Sequence, residues 1–444
     1  MKAMLLAYRH AICGILLLFG VTQLSYSQAP AIHSNPDTVQ ITLAQAEKRF
    51  MDRNLALLAQ KFNISTARAL QVQAGLWENP SLYVEQSIYN NVSRKAFPIR
   101  TGEAGEPGTQ GENIVQLNQL FQLAGKRGKQ VNLARIGTEM AEYQLYDLMR
   151  ALKYQLRTQF FNIYYLRQSL QIYQQEVASL RKTADLYQMQ YTKGNVALKE
   201  VVRLKAFLFS LENDRRDLLE RIIESQATLG VLFSDSTHTY YLPQPDRPTI
   251  DSLDMEKLSL TEVTEAAFAN RYDLKAAEAS TRYEKQNLAL QKAMAVPDIR
   301  LGGVYDRNGS YIQNYYGLSV QMDLPLLNRN QGNIQAAKSQ VQASSVGYQS
   351  AQLQVEKEVW QAYQKSLQTD QLFKGMDNQY ATDFERLIEG INLSYQKRNL
   401  TLIEFIDFYE SYKTSVLQLN QLQNERINAI EELNYVTGKN VFNY

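Results

Sequence analysis

Tyr191-Thr192-Lys193-Gly194-Asn195-Val196-Ala197-Leu198-Lys199-Glu200 and Tyr395-Gln396-Lys397-Arg398-Asn399-Leu400-Thr401-Leu402-Ile403-Glu404 are one segment written twice. Tyrosine, lysine, asparagine, leucine and glutamate recur at an offset of 204. The repetition extends outward. Leu43, Ala46, Phe50, Asn54, Leu57 and Pro80 return as Leu260, Val263, Ala267, Arg271, Leu274 and Pro297 at an offset of 217, and Lys126, Val131 and Ala134 as Arg329, Ile334 and Ala337 at an offset of 203. Most of the offset change falls between Pro80 and Lys126, so the second copy has a shorter loop there. A period near 200 residues is a duplicated half and not a solenoid.

Each copy reads as a helix, two strands, a long helix and a shorter helix. The first helix is expected from about Thr42 to Glu78, ended by Pro80, which would remove a backbone donor. Strands are expected near 81–92 and 113–123, and again near 298–306 and 313–324. The first pair is joined by a loop with turn formers at Pro98, Gly102, Gly105, Pro107, Gly108 and Gly111, the second by Arg307-Asn308-Gly309-Ser310. The last strand alternates: Tyr316, Leu318, Val320, Met322 and Leu324 on one face, Tyr315, Gly317, Ser319, Gln321 and Asp323 on the other. That suits a sheet over a soluble core and equally a strand between lipid and water. Four strands cannot close a membrane barrel, whose smallest members have about eight, so a membrane reading demands an oligomer.

Apolar residues at Leu145, Met149, Leu152, Leu156, Phe160, Ile163, Leu166, Leu170, Tyr173, Val177, Leu180, Ala184, Tyr187 and Tyr191 step by about 3.5 residues, the coiled-coil period. A helix from about Gly128 to Lys193 would be roughly 100 Å long at 1.5 Å per residue. Copy two should repeat it over about 333–397, followed by 400–437. The fold class expected is mostly α: a long coiled-coil helical cylinder with the strands at its end, which on the membrane reading form a small β-barrel completed between subunits.

Over 444 residues, 47 basic against 45 acidic groups leave no strong field for nucleic acid. Lys2, Arg9 and His10, the apolar run Ala11 to Val21 and Ser25-Tyr26-Ser27 read as a secretory signal cleaved before Gln28. The run is too short for a spanning helix, which needs about 20 apolar residues. Cleavage would remove Cys13, the only cysteine, and with it any disulfide, thiolate metal site or lipid anchor. The organisation expected is a signal at 1–27, an extension at 28–41, repeats at 42–230 and 259–438, a proline-rich connector at 231–258 and a tail at 439–444. His33 and His238 are isolated, and no phosphate loop, nucleophile motif or metal-spaced cluster is present. No enzyme and no cofactor is expected.

In this order, the motifs resemble the TolC-like outer-membrane efflux proteins. The resemblance covers about residues 40–440. It is carried by the Leu-x-x-Ala…Asn opening at Leu43–Asn54, by Asn79-Pro80-Ser81-Leu82, by the strand exits Leu120-Phe121-Gln122-Leu123-Ala124-Gly125-Lys126-Arg127 and Leu324-Pro325-Leu326-Leu327-Asn328-Arg329, and by the endings Leu229-Gly230 and Val436-Thr437-Gly438. It implies a homotrimer in outer-membrane lipid, with a helical tunnel across the periplasm. It also implies a periplasmic adaptor and an inner-membrane transporter, expected to be of the proton-driven RND type, as partners. The exit channel of a type I protein secretion system and a periplasmic coiled-coil adaptor or scaffold are the alternatives. The cargo, whether small molecule, metal ion or protein, is not written in this chain.

The resemblance places the gate at the periplasmic helix tips, with Lys193, Gly194, Asn195, Lys397, Arg398 and Asn399 available to the adaptor. Glu404 and Asp407, three apart and so on one helix face, would form stacked carboxylate rings at the constriction. Tyr395 matches the family's tip tyrosine. Glu200 and Arg203 hold the matching places in copy one and are expected to pair. The arginine that some members carry just inside the tip is Leu400 here, so a tip lock would have to be built differently. Glu425 and Glu431 lie on the same helix away from this face. Without the resemblance, Glu404 and Asp407 would read as a solvated helix surface.

Overall fold

The computed structural model describes residues 38–91, 94–98, 111–246, 253–308, 312–376, 390–391, 394–395, 397 and 399–442. The expected signal and cleavage point, most of the 97–111 loop, the Gly309-Ser310 turn and Arg398 lie outside them.

Strand β1 (Thr38–Thr42) leads into α1 (Leu43–Arg53) and α2 (Leu55–Ala74). The helix expected over 42–78 is therefore two helices. Asn54 adopts extended backbone, caps α2 by accepting from Leu57 N at 3.0 Å, and donates to Leu232 O at 2.8 Å. The second copy breaks at the matching residue. Arg271 separates α5 (Leu260–Asn270) from α6 (Tyr272–Met294), and its guanidinium reaches Glu358 at 2.6 Å and Val436 O at 3.5 Å. The side chains differ, but each points to the end of the helix that closes its own repeat.

After α2 come β2 (Ser81–Gln86), the small ladder of β3 (Tyr89–Asn90) and β4 (Lys95–Ala96), and β5 (Asn113–Phe121). Helix α3 (Lys126–Thr192) follows and runs 67 residues, roughly 100 Å at 1.5 Å per residue. Helix α4 (Leu198–Leu232) returns along it. In copy two, β7 (Ile299–Asn308) and β8 (Gln313–Met322) lead into α7 (Gln331–Lys374), and α8 (Leu402–Thr437) closes the repeat. The long helix expected over 333–397 stops at Lys374, where Gly375 caps it; glycine lowers helix propensity by about 1 kcal/mol. Helical residues return at 390–391 and 394–395.

Part of the extension and of the connector is folded. Strand β6 (Tyr240–Gln244) pairs in parallel with β1. The pair is fixed by Gln226, which donates to Tyr241 O at 2.6 Å and accepts from Tyr241 N at 3.0 Å. Further on, buried Asp370 accepts from Met255 N at 3.2 Å, Arg426 Nε at 2.8 Å and Lys374 Nζ at 2.9 Å, so the connector is pinned where α7 ends.

The main sheet, in the order β2-β5-β7-β8, is antiparallel throughout and joins the two copies through β5 and β7. Its register extends the alternation read in β8 across all four strands. One face carries Met322, Ile299 and Phe121, then Val320 and Leu301, then Leu318, Leu117 and Leu82, then Tyr316, Tyr305, Val115 and Val84. The other carries Ser319, Asn118 and Ser81, with Gln116 and Tyr83 in the next row. Leu318 is 93% exposed and Val320 72%, so among the described residues of one subunit nothing covers the apolar face. β2 and β8 are open edges.

The helices hold two apolar clusters. One, around Phe50, Leu156, Phe160, Leu229, Ala267, Val359 and Leu433, joins both repeats near the breaks at Asn54 and Arg271. The other, around Leu180, Leu204, Leu211, Tyr395, Phe405 and Tyr409, lies toward the tips. Fully burying one such side chain is worth about 1.5–3 kcal/mol. Among the described residues no helix is long and apolar enough to cross a membrane.

Candidate functional site

The first tip is a tight reversal. Gly194 takes a left-handed backbone (φ 74°), which a side chain would resist. Its N–H donates to Tyr191 O at 2.9 Å, and Asn195 N donates to Gln190 O at 3.0 Å. The second tip repeats this last bond at the offset read from the sequence, with Asn399 N donating to Ser394 O at 2.9 Å. Lys193, Gly194, Asn195, Lys397 and Asn399 are all exposed.

Helix α8 starts on a capping box. Thr401 Oγ1 accepts from Glu404 N at 3.3 Å, and Glu404 Oε2 accepts from Thr401 N and Thr401 Oγ1, each at 2.8 Å. The backbone bond from Thr401, and then its hydroxyl, hold the Glu404 carboxyl below its usual range. Glu404 and Asp407 are both exposed, on the side of α8 away from buried Leu402, Phe405 and Ile406. Copy one has no such box: Ala197 caps α4 without a side-chain bond, and Glu200 is a first-turn acid there. The expected Glu200–Arg203 pair is not formed. Arg203 is exposed, and among the described residues neither takes an ion pair. In the first turn Glu200 already has the helix dipole as a favourable partner.

Tyr395 is 4% exposed and enters the wall instead of lining a surface. Its ring is stacked between Tyr187 of α3, at 5.5 Å and 4°, and Phe405 of α8, at 4.1 Å and 16°. Burial, and then the neighbouring Tyr187 hydroxyl, push its phenol well above the usual range. An aromatic stack thus joins the second tip to α3 and α8, and half-buried Leu400 packs against the same cluster.

The sequence reading missed the buried charges. Glu176 on α3 is 3% exposed, and among the described residues neither of its oxygens has a hydrogen-bond partner. Burial pushes its carboxyl up to about 8, against the pull of Lys413 on α8. Lys413 itself is held 3.2 Å from Asp214 of α4. Glu431 is no surface acid: it is 2% exposed and accepts from Arg157 at 3.1 Å, while Arg157 also holds Glu47 at 2.6 Å. The available signal was position, because Glu176 sits beside Val177 on the apolar stripe. Among the described residues no group of three or more His, Cys, Asp or Glu is placed to hold a metal ion.

Two duplicated helical struts, tips held by stacked rings, and an open-edged sheet with one bare apolar face define a channel subunit of the helical-duct type. The chain belongs to the outer membrane efflux protein family, whose sequence profile matches residues 48–232 and 263–379. A comparison with curated protein sequences finds no match. Among solved structures, the chain is similar to the outer membrane protein VceC of Vibrio cholerae (TM-score 0.67, 17% identity, 89% of this chain and 96% of that one). It is similar to the CmeC outer membrane channel of Campylobacter jejuni (TM-score 0.69, 14% identity, 89% and 85%). It also resembles the open state of the MtrE outer membrane channel of Neisseria gonorrhoeae (TM-score 0.67, 17% identity, 90% and 89%).

Proposed function

We propose that this chain is the outer-membrane exit duct of a tripartite efflux pump, working as a homotrimer and exporting small molecules or metal ions. One observation carries the reading: among the described residues, the four-stranded sheet has two unpaired edges and an uncovered apolar face. In lipid every backbone polar group needs a partner, so β8 of one subunit must pair with β2 of the next until the ring closes. The family in which the chain falls supports an outer-membrane site, reached after removal of residues 1–27. Exposed Lys193, Asn195, Lys397 and Asn399 are the groups a periplasmic adaptor would meet. The energy would come from an inner-membrane transporter, expected to be of the proton-driven RND type. The cation-attracting face of Glu404 and Asp407 would line the closed constriction.

The experiment is the mass of the detergent-solubilised protein, together with channel activity in planar bilayers. Three chains per particle and discrete conductance steps are expected. A monomer that inserts stably into bilayers would end the reading.

A further inference from the structure

The apolar face of the sheet continues past its last paired row. Phe121, Ile299 and Met322 form that row, at the end nearest the helices. Just beyond it Trp77 meets Phe121 edge-on, ring centroids 6.2 Å apart, and the Arg127 guanidinium lies 4.5 Å from the centre of the indole. In the other repeat the chain leaving β8 exposes Leu324, Leu326 and Leu327 at 67, 71 and 94%. A bond of 2.8 Å from Leu326 N to Leu324 O fixes this turn, so the leucines are held outward.

Cations follow next along the chain in both repeats. Arg127 has the indole, Lys129 donates to Ala124 O at 2.7 Å, and among the described residues Arg329 takes no ion pair. Lys126, the counterpart of Arg329, is instead buried and held 2.7 Å from Asp298. Of the acids nearby, Asp298 is thereby engaged and Asp323 falls on the polar side by alternation. Glu78, next to Trp77, is exposed. Passing from sheet to helix, the surface therefore runs from apolar rows to an indole and leucines, and then to guanidinium groups. A phospholipid presents the same order of chemistry at a membrane interface: chains, glycerol region, phosphate.

We propose that Trp77, Arg127, Leu324, Leu326, Leu327 and Arg329 form a phospholipid site in the periplasmic leaflet, selective for anionic headgroups. The site rests on the barrel reading above. Closing β8 onto the neighbouring β2 brings the leucine turn of one subunit toward Trp77 of the next, so the lipid would sit at the seam between subunits.

The chain has two tryptophans, which makes the site directly readable. Trp360 lies on α7, about 45 Å along the helix from its start at 1.5 Å per residue. The protein carrying Trp360→Phe, and separately Trp77→Phe, is reconstituted into vesicles of phosphatidylcholine containing phosphatidylglycerol, with one or the other lipid brominated high on its chains. Trp77 should be quenched and Trp360 should not. Brominated phosphatidylglycerol should quench Trp77 at least twofold more than brominated phosphatidylcholine at equal fraction. Arg127→Gln with Arg329→Gln should abolish that preference, and exchange of both for lysine should keep it. Equal quenching of the two tryptophans, equal quenching by the two lipids, or a preference that survives the glutamine exchange would overturn the site. Failure of the protein to float with the vesicles would instead overturn the barrel reading beneath it.

Discussion

The rings of Tyr395 and Tyr187 lie 4° from parallel with centroids 5.5 Å apart, one from each repeat, and this contact fastens the two tips of a subunit to each other. Removing the ring should loosen the tip without touching any charge. Tyr395→Ala is expected to cost roughly 3 kcal/mol of stability, as for other buried aromatics cut to alanine, and to raise the resting conductance in planar bilayers. Tyr395→Phe keeps both stacks and should behave as wild type. A closed-state leak unchanged in the alanine variant would sink the fastening role.

For the gate acids, the capping box dictates the choice of variant. Glu404→Ala removes a charge and also the bond to Thr401 N, which confounds selectivity with a loss of about 1 kcal/mol of helix capping. Glu404→Gln with Asp407→Asn removes only charge. If the two acids line the constriction as proposed, cation preference, measured as reversal potential across a salt gradient, should fall, because the charges that concentrate cations are gone. The control is exposed Glu425 on the same helix; Glu431 is unsuitable because Arg157 holds it in the core. A control variant that shifts selectivity as much as the gate pair would show that the acids are only part of a charged helix surface.

Glu176 should make stability fall with rising pH. Its folded value of about 8 lies above the ordinary 4.5, so between those limits the folded protein binds the extra proton. Stability is full below the lower limit, declines as pH rises through the window, and is level above it. Glu176→Gln mimics the neutral form and removes the slope. The difference in Tm between variant and wild type should therefore grow from pH 5 to pH 8, reaching on the order of a few kcal/mol in stability. Parallel curves over that range would mean that Glu176 titrates as an ordinary surface acid.

Arg271→Ala should be among the more damaging single changes outside the apolar clusters. It takes the cation from the partly buried carboxylate of Glu358, leaves Asp273 only the ion-pair contact of Arg150 at 3.5 Å, and removes a donor from Val436 O. Losing one partner of a largely buried network costs roughly 3 kcal/mol. Asn54→Ala, which loses a cap and one buried bond, should cost about 2 kcal/mol. Chemical unfolding of the detergent-solubilised protein orders the two, and an Asn54 variant worse than the Arg271 variant would contradict this order.

What the chain discloses depends on how local the cause is. Strand alternation at Tyr316 to Met322, the heptad-like stripe from Leu145 to Tyr191 and the copied tips are local patterns, and the structure keeps them. The break at Asn54 was hidden because asparagine is tolerated within a helix. The bond from its side chain to Leu232 O joins residues 178 apart. A duplicated position carrying a good helix-capping residue was the available hint. The parallel pairing of β1 with β6 and the burial of Glu176 and Glu431 arise only when a third element packs on. No period in the sequence records them. The tip shows both kinds: its turn was legible at Gly194, whereas the inward turn of Tyr395 depends on Tyr187 and Phe405 meeting it from different helices.

The order β2-β5-β7-β8 carries a consequence for where the chain needs to be continuous. Inside a subunit, the second strand of one hairpin meets the first strand of the next, at β5 and β7. Closing the ring by joining β8 to the following β2 obeys the same rule. Every junction around the wall then has one grammar, whether the two hairpins belong to the same polypeptide or not. The covalent link between the halves therefore adds no strand pairing of its own to the main sheet. A chain cut after Pro245, just past β6, and expressed as two polypeptides has all the strand pairings and helix stacks of the intact one, and circular order around the ring would have to be enforced by the side chains alone.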